Sequence, residues 1–270
     1  MLHSIAGKTI FDSRRAMIGW MIGTALAALL VVAIYPIIRD TPEILDLLES
    51  YPEAMLEMFG IDDIDSYTSP PGFLETQLFS TYVPLIFLIF AIGRGVSVLA
   101  GEERDRTLDV LLANPVSRER VILEKAAAIA ALIAVLGAVV FVVVLSGSLL
   151  YEGWPSVVNL VSAVISAILM GLTYGWLALA AGAVTGRRGM AMGVAAGLAV
   201  ATYIINGVAP LVEGLEWAVN LSPFNYYLDH NPLQNGFHLG NAAVLAGLCA
   251  LFLGVAVWGF RRRDVGVARS

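Results

Sequence analysis

"VILEKAAAIAALIAVLGAVVFVVVLSGSLL" occupies residues 121–150, and beyond Lys125 it carries no charge. About 20 apolar helical residues suffice to cross a hydrocarbon core about 30 Å thick. The run shows none of the apolar–polar alternation of a barrel strand, and lipid offers no partner to an unpaired backbone group, so it reads as a spanning helix. Five more stretches qualify on either side, at 16–38, 78–98, 157–184, 190–211 and 242–260. Hydrophobic residues make up 58% of the 270 and charged ones 14%, against roughly 25% charged in an ordinary soluble domain. The expected fold is an all-α integral membrane protein, one six-span unit over residues 1–270 with no soluble domain. The first span is too long and starts too far in for a signal h-region, and no small-residue cleavage pattern follows it, so it is expected to persist in the mature protein. Cys249 stands alone within the sixth span, which excludes an internal disulfide and suggests simple packing.

The basic residues set the orientation. Of the 16 Lys and Arg, all but Arg39 fall on one side of the spans, and the positive-inside rule makes that side cytoplasmic. A multi-pass protein of the cytoplasmic membrane follows, with both termini inside. The acids favour the other side: Asp40, Glu43, Asp46, Glu49, Glu53, Glu57, Asp62, Asp63, Asp65 and Glu75 crowd the outer loop at 39–73 and its exit. Within that loop Ile44, Leu47, Leu48, Met55, Leu56 and Phe59 recur at helical spacing, which predicts an amphipathic surface helix, either a gate over an exit or a solvated cap. "SPPG" at 69–72 reads as the breaker that ends the loop. At the amino terminus, Ile5, Ile10 and Phe11 opposite Lys8, Arg14 and Arg15 predict a short interfacial helix over 1–15. Gly7, Lys8 and Thr9 spell the end of a phosphate-binding loop, but Leu2 stands where its first glycine belongs and no strand precedes it, so nucleotide binding is not expected there.

Between the second and third spans lies "GEERDRTLDVLLANPVSRERVILEK", residues 101–125. Glu102, Glu103 and Asp105 suit the first turn of a helix, and Glu102 stands four residues before Arg106. Leu108, Leu111 and Leu112 then form an i, i+3, i+4 stripe; Asn114 before Pro115 stops the helix, and Ser117 caps the next. Connections between packed helices usually need about 2 to 8 residues, and this one uses far more. A protein-docking helix is one reading, and a connector resting its leucines on headgroups is the other.

The stretch from Leu99, "LAGEERDRTLDVLLANPVSRERVILEK", resembles the cytoplasmic loop of permease subunits of type-2 ABC exporters, in particular the group named for multi-copper-enzyme maturation. "LSPF" at 221–224, "PLQNG" at 232–236 and "FRRRDV" at 260–265 extend the likeness over essentially the whole chain. Arg106 departs from it, since relatives commonly carry Gly before the Thr. The resemblance implies a transmembrane subunit that pairs with a second permease subunit, identical or not, and docks a separate ABC ATPase through a coupling helix at 101–118. Glu102, Glu103, Arg104, Asp105, Arg106, Thr107, Leu108, Asp109, Leu111 and Leu112 would form that docking surface, with Arg187 and Arg188 as secondary contacts. No cofactor would be bound by this chain; ATP and Mg would sit in the partner ATPase, which hydrolyses the ATP while the permease exports a substrate. The bilayer is the remaining partner, and no nucleic acid is expected. The alternative is a force-transmitting or anchoring membrane subunit that forms no pathway itself.

Gly189, Gly193 and Gly197 repeat at four-residue spacing in the fifth span, as do Gly19 and Gly23 in the first and Gly171 and Gly175 in the fourth. Small-xxx-small spacing lets helices approach closely, and the triple repeat reads as the contact between protomers, with internal packing as the alternative. Tyr174, Trp176, Tyr203 and Asn206 are candidates to line a pathway for an apolar or amphipathic cargo, or else are interfacial or core residues. Asp229, His230 and His238 share the outer face, but their spacing matches no strong ligand pattern, and no metal site is expected. No catalytic constellation appears, and the spans hold no chain of inward carboxylates that would suit a proton-coupled carrier.

The charge split makes the topology testable. Cysteines at Asp46 and Asn235 should react with an impermeant thiol reagent in intact cells, while ones at Asp109 and Arg188 should not; the opposite pattern would reverse the orientation.

Overall fold

Six helices long and apolar enough to cross a bilayer run through the protein: Ile5–Arg39, Pro70–Arg104, Arg118–Gly147, Val157–Thr185, Arg188–Leu211 and Leu239–Arg262. The structure is a computed structural model that describes residues 4–41, 43, 46, 47, 50–52, 64–105, 107, 108 and 116–263, and no strand occurs among them. Each helix coincides with one of the apolar stretches, so the all-α, six-span expectation holds. The expected outer amphipathic helix falls largely outside the described residues.

Two segments differ from expectation. The amino-terminal helix is not separate: residues 5–39 form one continuous helix, because neither Gly nor Pro interrupts the chain from Lys8 to Ile18. Its first amides are held by side chains. Ser4 accepts from Gly7 N at 3.0 Å, and the Glu124 carboxylate from Ile5 N at 2.5 Å and Ala6 N at 3.1 Å. At about 1.5 Å per residue the helix is some 52 Å long, so it overshoots the hydrocarbon at its ends. Likewise "SPPG" does not merely break a loop. Ser69 caps the second span by accepting from Gly72 N, with Pro70 and Pro71 in its opening turn, where a missing N–H costs nothing.

The second span is not uniformly α-helical. Glu75–Tyr82 and Ser97–Gly101 are π-helical turns. In the first, Val83 N bonds to Leu78 O, and the same register would pair Phe79 O with position 84. Position 84 is proline and has no N–H. The Tyr227 hydroxyl takes its place, donating to Phe79 O at 2.6 Å. Burial pushes the Tyr227 phenol well above its ordinary pKa, with the nearby Glu75 adding to the shift, which keeps it a donor.

The fourth span is the axis of the bundle: it packs on the second, third, fifth and sixth, while the first lies along the third. Small residues permit this. A Cβ added at Gly95 would collide with the Gly175 carbonyl oxygen, and one at Gly137 would press on Ile168. The helix ends at Gly186, whose φ of 65° is a left-handed cap that glycine adopts freely. The fifth span is the least enclosed. It buries Ala191, Ala195 and Ala199 and leaves most other positions exposed.

Gly95→Ala should therefore force the second and fourth spans apart and destabilise the fold by about 1 to 3 kcal/mol. Gly193→Ala, with nothing within 4 Å of the added carbon, should be neutral or slightly stabilising. Thermal unfolding of the detergent-solubilised protein distinguishes the two.

Candidate functional site

The basic end of the bundle carries a connected set of ion pairs around the start of the loop. Lys125, about two turns into the third span, is fully buried. Its ammonium pairs with Glu102 Oε2 at 2.7 Å and donates to the Val98 carbonyl oxygen, which belongs to the second π-turn. Glu103 pairs with Arg263, whose guanidinium also donates to Gly182 O at 3.2 Å near the end of the fourth span. Arg118, at the start of the third span, donates to Phe260 O at 3.1 Å and to Arg263 O beyond the sixth span. Arg261 and Glu119 pair at 2.7 Å, as do Arg120 and Glu124, the carboxylate that holds the first helix.

Of the expected docking residues, Arg104 and Asp105 pair with each other at 3.0 Å and are exposed. Thr107 is exposed, its hydroxyl donating to Glu102 O at 3.2 Å. Leu108 is fully buried in the protein's own core, so this leucine does not present itself to a partner. Arg106, Asp109, Leu111 and Leu112 lie outside the described residues. Arg187 and Arg188 are exposed at the same end.

The three glycines of the fifth span, Gly189, Gly193 and Gly197, have nothing within 4 Å of where a Cβ would stand, and the same is true of Gly19 and Gly23. Gly171 and Gly175 instead face Phe87 and Ala91 of the second span. Identical spacings thus serve different surfaces, internal in the fourth span and open in the first and fifth.

Beside the open glycines lies an apolar groove of about 460 Å³ between the second and fifth spans, lined by Leu85, Ile89, Met192, Val200, Tyr203 and Phe224 among others. The four expected pathway residues divide. Tyr203 lines the groove and meets the Phe224 ring at 5.3 Å; Tyr174 meets the same ring from behind at 5.8 Å, with its hydroxyl 2.6 Å from Thr202 Oγ1. Trp176 points the other way and donates to Ala126 O of the third span at 3.3 Å. Asn206 Oδ1 is buried and has no hydrogen-bond partner among the described residues.

Phe224 belongs to an elbow of two short helices, Pro223–Leu228 and Pro232–Asn235, at the end of the bundle opposite the basic one. Phe224, Tyr227 and Leu233 are buried. Asn231, with φ 44°, makes the turn between them. The elbow is pinned at four points: Tyr227 to Phe79 O, Ser222 Oγ to Thr202 O at 2.9 Å, Asn159 Nδ2 to Gln234 O at 2.9 Å, and Leu233 N to Glu75 Oε2 at 2.7 Å. His230 and His238 stack with centroids 4.7 Å apart, and among the described residues no group of three metal-ligating side chains stands together.

A family model described as "ABC-2 family transporter protein" matches residues 3–265. The chain belongs to the ABC-2 transporter family. No curated protein matches it. It is thus a membrane subunit of an ABC transporter, and the bundle, the loop and the groove are parts of that subunit.

The sequence reading did not find Lys125, Arg118, Arg263 or the role of Glu75. A lysine at the head of the longest apolar run is itself a signal, because an ammonium among spanning helices needs a partner. Its partner was not legible, since Glu102 is far along the chain. For Glu75 the structure makes a direct prediction. Glu75→Leu leaves the Leu233 amide unpaired in a buried site, which should cost about 1 to 3 kcal/mol and loosen the elbow; Glu75→Gln retains the acceptor and should cost less. Thermal unfolding together with proteolysis at the elbow reads both.

Proposed function

We propose that this subunit is the permease half of an exporter in which two such subunits, identical or not, enclose a path across the cytoplasmic membrane. Separate ABC ATPases dock on the loop between the second and third spans. The basic end is the cytoplasmic one, and ATP with Mg is bound and hydrolysed in the ATPases. The likeness of "LSPF", "PLQNG" and "FRRRDV" to the multi-copper-enzyme-maturation group supports placement near that group.

The observation that carries this reading is the asymmetry of the fifth span. One face of alanines is buried within the subunit, and the glycine face stands open beside a groove shared with the second span. A second subunit approaching along Gly189, Gly193 and Gly197 would close that groove into a shared path, with close backbone approach as the driving geometry. Its apolar lining suits an apolar or amphipathic cargo. The elbow, with Phe224 at the groove, would then stand at the exit.

Two outcomes follow. Gly193→Leu should abolish the dimer seen by cross-linking in membranes while insertion stays intact; an unchanged dimer would place the contact elsewhere. Since Leu108 belongs to the subunit's own core, the docking test falls on Leu111 and Leu112. Changing both to Asp removes about 1.5 to 3 kcal/mol of apolar burial per side chain and should reduce co-purification of a co-expressed ABC ATPase at least tenfold, whereas Arg104→Ala, at an exposed pair, should do little.

A further inference from the structure

We propose that the acidic pair Glu102–Glu103, first read as part of the surface offered to an ATPase, is an internal clamp that ties the loop to the third, fourth and sixth spans and passes its displacement to all three. The inference rests on the docking reading above for the source of the displacement, and on the following geometry for its path.

Both carboxylates face inward. Glu102 reaches Lys125 of the third span, which has no exposed surface, and the same ammonium grips Val98 O in the π-turn immediately before the loop. The π-turn and the last helical turn of the second span, Glu102–Arg104, from which the loop departs, are thus fastened to one buried cation. Glu103 reaches Arg263, which follows the sixth span and also holds Gly182 O near the end of the fourth. The Arg263 backbone is held in turn by Arg118 at the start of the third span. Space for this second contact depends on Gly186: a Cβ there would strike the Arg263 guanidinium and press on Glu103. The adjacent Arg104 and Asp105 point away and satisfy each other at the surface. Two consecutive acids therefore face the bundle, and the next two charges face out.

A loop held by one contact would swing when pushed. Held at two consecutive residues, by a cation of the third span and by one just beyond the sixth that also grips the fourth, it moves those helices with it. The π-turn at 97–101 is the compliant element beside the clamp, since an i→i+5 turn inserted in an α-helix is a local weak point. The fifth span has no part in the clamp, so a displacement of the loop shifts the clamped spans, and the second span that leads into the loop, relative to it; the groove lies between that second span and the fifth. Glu102, Glu103, Lys125 and Arg263 are positioning residues on this account, acting on the path through the helices they hold.

The test uses Glu102→Gln, Glu103→Gln and Lys125→Met; the first two sit at half-exposed positions and keep the fold if Lys125→Met does not. In the subunit alone, in lipid nanodiscs, amide hydrogen exchange over residues 97–105 should rise about tenfold in each variant, with the fourth span unchanged. The Glu102→Gln/Lys125→Met double variant should exchange no faster than Lys125→Met alone. In the complex with a co-expressed ABC ATPase, the variants should retain the ATPase within about twofold of wild type and still hydrolyse ATP. They should lose the ATP-driven change in distance between spin labels at Val142→Cys on the third span and Leu211→Cys on the fifth, measured in a Cys249→Ala background.

Wild-type exchange in all variants overturns the clamp. Loss of the ATPase from Glu102→Gln and Glu103→Gln overturns it too, because the acids would then face the partner, and so does an undiminished ATP-driven distance change. If the wild-type subunit itself brings down no ATPase, the docking reading fails instead, and the exchange result alone decides whether the acids hold the loop.

Discussion

A backbone carbonyl inside hydrocarbon has no water to turn to, and the two π-turns of the second span are built around that constraint. The second span contains two π-turns, each a departure from the ladder that satisfies a helix. At the first, Pro84 removes the donor that Phe79 O would have met, and Tyr227 supplies its hydroxyl. At the second, Lys125 supplies its ammonium to Val98 O. Neither side chain belongs to the second span. The elbow and the third span are therefore each bound to the second span at one of its π-turns.

The same constraint links the two ends of the subunit. At one end Glu75 and Asn159 hold the elbow by its own backbone groups, and Ser222 at its start donates to Thr202 O of the fifth span. At the other, Glu124 holds the opening amides of the first helix, and Arg118 and Arg263 hold carbonyls at the ends of the sixth and fourth spans. Between these ends the fourth span forms an axis whose glycines admit the second span to backbone contact. The fifth span is the part with the fewest buried positions, held to the rest through its alanine face and through Thr202, which meets Ser222 of the elbow and Tyr174 of the fourth span. This division suits a membrane subunit of an ABC transporter.

How far the sequence reached depended on the range of the interaction. Helix number, order and length were legible because they follow from the length of apolar runs, a property of consecutive residues: all six helices fall where residues such as those at 121–150 and 157–184 placed them. The caps at Ser117 and the charge split across the spans were local as well. Interpretation failed where local chemistry has two outcomes. "SPPG" was read as a breaker, yet proline in a first turn starts a helix as readily as it ends one. Residues 1–15 were read as a separate helix from their amphipathic pattern, but amphipathicity does not say where a helix ends when no breaker intervenes.

What the sequence by itself determined was the class of molecule, a six-helix membrane bundle with an oversized polar loop, because hydrophobic transfer depends on composition along the chain. Only the tertiary structure decided which face each residue serves. Gly175 and Gly193 have the same spacing motif, but a Cβ on one would meet Ala91 and a Cβ on the other would meet none of the described residues; Glu103 and Arg104 are neighbours in sequence, but one meets Arg263 and the other faces out. The physical reason is that packing and ion pairing act between residues brought together from distant parts of the chain, and rotation of a helix about its axis exchanges an inward residue for an outward one without altering any local preference.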